Sequence, residues 1–227
     1  MTFDLAVRTT ELLLAWAFAL QSIEHLCETD EPRVIHAARL GLCIVLGAGF
    51  APGWVLIGLC FWSLWSLHRF QGPYCGGADR MGFLVLYAVT AVHWAPNPAL
   101  AELAFGYLAV QLVLSYVMSG WVKIVNPDWR SGRALCDVFA FSAYPVSEVT
   151  RGWATYPRLM SAVSRMVIAF ELMFPLGLLH PVALTIALSI TGSFHLGNAI
   201  FLGLNRFFWI WIAAYPSIIW FQGRGFG

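Results

Sequence analysis

The 227-residue chain sets 13 Lys plus Arg against 12 Asp plus Glu, a net charge of +1, with 59% hydrophobic and 11% charged residues and a mean hydropathy of +0.72. Soluble domains carry about a quarter of their residues as charges, so a water-soluble globule is excluded; the lack of any basic run argues against a nucleic-acid partner. The composition predicts an all-α, polytopic integral membrane helical bundle, with residues 1–227 as a single transmembrane domain and no separate soluble domain, in a bacterial inner (plasma) membrane.

The first apolar stretch, residues 6–26, has no basic region before it and no small-residue cleavage site after it, and reads as an uncleaved first span. Further helices are expected over 34–50, 54–69, 81–95, 99–122, 160–179, 182–203 and 206–222, giving about eight transmembrane helices, with about seven as the alternative count. Short connectors, "APG" at 51–53, "APNP" at 95–98 and "HP" at 180–181, predict antiparallel hairpins. The longer connections 27–33, 70–80 and 123–159 then share the opposite face. Trp54, Trp94, Trp121, Trp129 and Trp220 mark span ends, where amphipathic rings favour the headgroup level. Neither repeated halves nor paired broken helices support a transporter.

That shared face collects the unusual polar residues: Glu24, His25 and Cys27, then His68, Arg69, Cys75, Asp79 and Arg80, then Lys123, Asp128, Arg130, Arg133 and Cys136. It also takes Arg33, Arg39, Arg151, Arg158, Arg165 and Arg206, whereas only Arg8 and Arg224 fall opposite. By the positive-inside rule alone the face is cytoplasmic, with both termini outside. Cys27, Cys75 and Cys136 stay reduced there, or give one disulfide and one thiol if the face is periplasmic; Cys43 and Cys60 read as packing residues. No Cys-x-x-Cys, His-x-x-x-His or Glu-x-x-His spacing occurs, so no metal site is assigned.

Lys123 is the only lysine and stands at the mouth of an apolar helix. A lysine amine can act as a base when burial favours its neutral form, which arginine cannot do; it can equally snorkel to the interface as an anchor. Trp129 and Arg130 read either as an anion or headgroup site or as interfacial residues, and Asp79 and Arg80 as a helix start whose Asp79 caps it or pairs with Lys123 or Arg130. Glu171 and His195 lie inside apolar spans, where ionisable groups are costly and paired, and a Glu171–His195 hydrogen bond is expected, functional or purely structural.

Three stretches together resemble the horizontally transferred transmembrane (HTTM) domain family, which includes the vitamin K-dependent gamma-carboxylase. "YCGGADRMGFLVL" at 74–86 is similar to the family's Gly-Gly-x-Asp helix start through Gly76, Gly77 and Asp79. "SYVMSGWVKIVNPDWRSGRAL" carries a small residue, lysine, spacer, Trp, Arg and Gly through Gly120, Lys123, Trp129, Arg130 and Gly132. "AFELMFP" at 169–175 and "SFHLGNAIFLGLNRFFWIWIAA" at 193–214 supply a Glu before Phe-Pro and a His before a Phe-bearing helix. The resemblance covers about 70 to 214. It implies Lys123 as base; beside it, Glu171 and His195 are the other candidate catalytic groups, and Asp79, Arg80, Trp129, Arg130 and His68 the candidate binding residues. His68 is the nearest stand-in for a histidine that the carboxylase branch carries at its Gly-Gly-x-Asp helix.

Two classes of function follow. One is a membrane-embedded enzyme or maturation factor acting on a quinone-like or lipid ligand or a membrane-delivered peptide substrate. The other is a non-catalytic subunit assembled with other membrane-protein subunits in the lipid bilayer.

Overall fold

The computed structural model describes residues 1–27, 33–69, 76–141 and 147–225, apart from the side chains of 67–69. Every regular element among them is helical: α1 (Phe3–Cys27), α2 (Arg33–Ala48), α3 (Pro52–Arg69), α4 (Gly76–Trp94), α5 (Pro98–Val125), α6 (Pro127–Ser131), α7 (Arg133–Phe141), α8 (Glu148–Gly152), α9 (Pro157–Met173), α10 (Pro181–Leu202) and α11 (Asn205–Gly225). Each expected helical stretch has a helical counterpart. Among the described residues, three stretches are long and apolar enough to cross a membrane: Pro98–Val125, Pro157–Leu179 and Pro181–Leu202.

Local chemistry sets the boundaries. Before α5, the Asn97 side chain accepts from the Leu100 N–H at 3.0 Å, and Pro98 fills a first-turn position that needs no donor. Before α10, His180 Nδ1 accepts from Val182 N–H at 3.2 Å, again with a proline following. The 160–179 helix departs from its uniform expectation: Pro175 lacks an N–H to continue the α ladder, α9 stops at Met173, and Phe174–Leu179 winds as a 3-10 segment. The expected long loop 123–159 instead folds into α6, α7, α8 and a 3-10 turn at Trp153–Thr155. α4 also starts earlier than expected, at Gly76, which places Asp79 in its first turn, where the helix dipole favours a carboxylate.

The chain groups into two compact units, Met1–Ala109 with Trp209–Phe221, and Val110–Phe208 with Gln222–Gly227. In the first, α1 packs along α2, and α3 against α2 and α4, around fully buried Leu14, Leu46, Leu56, Leu59 and Leu86. Two arginines that the charge pattern counts toward the membrane faces are internal ligands here. Arg39 is 2% exposed, donates to Gln21 Oε1 at 2.8 Å, and lies between the rings of Phe18 (4.2 Å) and Trp62 (3.8 Å). Its charge is met by aromatic faces and an amide, so it is no vote for topology. Arg8 donates to the last carbonyls of α2, Leu46 O at 2.9 Å and Gly47 O at 2.6 Å, and to Glu11 Oε2 at 2.9 Å.

Glu11 is 2% exposed and its other oxygen bonds His93 Nε2 of α4. The Arg8–Glu11–His93 set thus ties three helices together at ionisable groups, at a place the sequence reading passed over. Glu11→Ala is expected to lower stability by about 2–3 kcal/mol, because Arg8 and His93 lose a charged partner, whereas Glu11→Gln keeps an acceptor and should cost less. Thermal unfolding of the purified variants in detergent checks the order; equal losses would remove the carboxylate from the account.

In the second unit, α6 and α7 pack on α9, and α10 packs on the 3-10 segment. The Phe174 ring lies 4.2 Å from that of Tyr116. Two carbonyls of the 3-10 segment, Gly177 O and Leu178 O, accept from Gln222 Nε2 at 3.0 and 3.2 Å, which satisfies groups that the broken ladder leaves over.

Candidate functional site: a buried lysine–glutamate pair

On α5, Tyr116, Ser119, Gly120 and Lys123 recur at helical spacing and share one face. Gly120 decides how close that face comes to α9. A Cβ there would stand 2.9 Å from Leu172 Cγ and 3.1 Å from Glu171 Cβ, tighter than side chains tolerate, so glycine lets the helices close. One turn on, Lys123 Nζ reaches both Glu171 oxygens at 2.7 Å and Ser119 Oγ at 2.5 Å. Ser119 Oγ in turn donates to Glu171 Oε1 at 3.1 Å. These three bonds use all three donors of an ammonium.

The pair is secluded. The side chains of Lys123 and Glu171 are 14% and 3% exposed. Although α5 ends at Val125, its end lies beside the interior of the Pro157–Leu179 span. The Lys123 amine points into the protein, toward a carboxylate.

The segment "NPDWRSG" after the lysine is a capped single turn. Asn126 accepts from Asp128 N–H at 2.9 Å, Pro127 opens α6, and Gly132 closes it in the left-handed region at φ 85° with its N–H on Trp129 O. Trp129 is fixed by Ser164 of α9, whose hydroxyl donates to Trp129 O at 2.5 Å, and its ring centroid lies 5.4 Å from Lys123 Nζ. The indole thus covers the ammonium with a favourable face. Arg130 is exposed and donates from Nη1 to Ile124 O at 3.2 Å, capping the end of α5.

His195 of α10 is 1% exposed and shares a 2.8 Å hydrogen bond between Nε2 and the Tyr116 hydroxyl. The expected direct Glu171–His195 bond is therefore replaced by two adjacent pairs on one face of α5, Lys123–Glu171 and Tyr116–His195, because Lys123 and Ser119 take up the Glu171 oxygens. The sequence reading missed Ser119 and Tyr116, although both stand at helical spacing before Lys123.

The structure brings together Lys123, Glu171 and Trp129, with Arg130 next along the chain and His195 in the neighbouring pair. Within the second unit, Glu171 holds Lys123 and a backbone carbonyl accepts from Arg130. Asp79, half-buried, and Arg80, exposed, belong to the first unit. The side chain of His68 and the whole of Cys75 lie outside the described residues. Cys27 and Cys136 are free thiols, Cys27 exposed and Cys136 half-buried. Among the described residues no group of three or more His, Cys, Asp or Glu is placed to hold a metal ion.

Residues 91–222, well over half of the chain, match the family model described as the HTTM domain. The matched region holds Lys123, Trp129, Arg130, Gly132, Glu171 and His195 and begins after the Gly-Gly-x-Asp start of α4. No curated protein and no solved structure matches the chain. The chain belongs to the HTTM domain family.

Proposed function

We propose that the second unit carries a membrane-embedded proton-transfer site, in which Lys123 is the base toward a lipophilic or quinone-like molecule or a membrane-delivered peptide. The carrying observation is that the chain's sole lysine lies inside the protein, bound three times by Glu171 and Ser119, while its side chain keeps 14% exposure. In a water-poor site the ion pair and the neutral amine–acid pair differ by one proton moved along a 2.7 Å contact, so Glu171 can hold the proton while the Lys123 lone pair takes one from a ligand. Arginine offers no such exchange, since it stays protonated. Trp129 would lie against the ligand, Arg130 would meet its anionic part, and His195 with Tyr116 would supply a second proton-bearing pair about two turns back along α5.

The rival reading, a non-catalytic subunit of a membrane complex, makes the same pair a structural clamp. Mild-detergent purification followed by organic extraction and mass spectrometry separates the two. The site reading expects a bound lipophilic molecule with the wild type that is lost from Lys123→Met/Glu171→Leu, a variant that removes both charges together. Equal amounts on both proteins would sink it, and a stoichiometric protein partner with no extracted molecule would favour the subunit.

A further inference from the structure

The geometry points to the α6–α9 edge of the second unit as a binding surface for anionic phospholipid headgroups. This inference shares only Arg130 with the proton-transfer reading, and its test leaves that residue unchanged. Ser164 of α9 bonds Trp129 O, and Gly132 abuts the backbone of Ser161, so α6 runs alongside residues 160–164. Arg130 and Arg165 flank that seam, and Arg133 and Arg158 stand within about one helical turn of Ser161. All four are exposed.

Their bonds within the protein are few. Arg130 uses Nη1 on Ile124 O, and Arg165 uses Nε on Ser161 O, which leaves the rest of each guanidinium fork outward. Arg133 reaches Asp128 Oδ2 at 3.1 Å in a pair that is itself 70% and 42% exposed. Among the described residues no carboxylate pairs with Arg130, Arg158 or Arg165. Arg158 also lies in the first turn of α9, where the helix dipole repels a cation. A row of guanidinium groups of which only Arg133 has an internal counter-ion, in an exposed pair, suits phosphate, which it can grip bidentately.

The apolar residues of the same segments select a lipid over a soluble anion. Phe141 is 79% exposed, Val149 76%, Tyr156 61% and Leu159 48%. These lie in or beside the short helices and the start of α9, on the same stretch of chain as the four arginines. That is the composition of a segment lying in the headgroup layer, with apolar groups dipping into the acyl boundary and cations in the phosphate plane.

The test uses the purified, delipidated full chain in neutral detergent, with unfolding followed by tryptophan fluorescence. Phosphatidylglycerol should raise Tm by roughly 3 °C or more, and phosphatidylcholine and inorganic phosphate at equal concentration should not. Arg158→Gln/Arg165→Gln should lose the rise while keeping the wild-type Tm in phosphatidylcholine, and Arg158→Lys/Arg165→Lys should retain most of it. Should the glutamine variant fail to fold, the wild-type rise must still shrink as salt is added. A full rise in the glutamine variant, or a salt-insensitive rise, would overturn the arginine assignment. The same rise with inorganic phosphate would overturn the lipid in favour of a soluble anion, and no rise with phosphatidylglycerol would overturn both.

Discussion

Replacing Gly132 by alanine is expected to destabilise the protein by about 3 kcal/mol or more and to loosen α6 from α9. Two independent effects add at this position. The backbone sits at φ 85°, where an L side chain costs roughly 1–2 kcal/mol. A Cβ built there would also stand 2.5 Å from both Ser161 N and Ser161 Cα. Those are main-chain atoms of α9, which cannot turn away as a side-chain end would, so α6 must retreat, with an overpacking cost of about 1–3 kcal/mol. Retreat breaks the Ser164–Trp129 bond and draws the indole away from Lys123. Gly152→Ala is the matched control: it has nothing within 4 Å and ordinary helical angles, and should be neutral or slightly stabilising. Thermal unfolding compares the two. If Gly132→Ala proves as mild as Gly152→Ala, α6 is not held as described, and the Trp129 cover over the lysine fails with it.

The helices were legible because apolar runs bounded by proline and glycine leave little choice. The short helices were not. α6, α7 and α8 are five to nine residues long, below the window in which hydropathy speaks, and their polar residues read as loop. "NPDWRSG" still holds the whole rule for α6, an Asn cap, a first-turn proline and a left-handed glycine, so a cap-based reading finds what a hydropathy reading passes by. The site was half legible: Lys123, Glu171, Trp129 and His195 were named, but not their pairing. Glu171 is 48 residues from Lys123, and only the packing of α5 on α9 decides that it meets Lys123 before His195. Arg39 shows the opposite failure, for its position near a span end made it look like a topology signal when two aromatic rings and Gln21 enclose it. Arg8 and Glu11, three residues apart in an apolar stretch, were a readable pair.

Removing one member of the Lys123–Glu171 pair is expected to cost about 3–5 kcal/mol, and removing both far less. With Glu171→Leu, a buried ammonium keeps only Ser119 and the Trp129 ring; with Lys123→Met, a carboxylate that is 3% exposed keeps only the same hydroxyl. Either variant strands a charge whose desolvation is no longer offset. In Lys123→Met/Glu171→Leu both charges go, side chains of similar length remain, and Ser119 can turn back to its own helix carbonyl. Buried ion pairs replaced by apolar groups are often neutral or stabilising, so the coupling energy from the double-mutant cycle should exceed either single loss and approach the sum of the two. The cycle also parts stability from function. A double variant that folds as well as the wild type yet no longer retains a lipophilic molecule places Lys123 and Glu171 in a site, because a clamp replaced by apolar packing has nothing further to lose. Additive single losses would mean that the two side chains do not share a charge, and the proton-transfer reading would lose its pair.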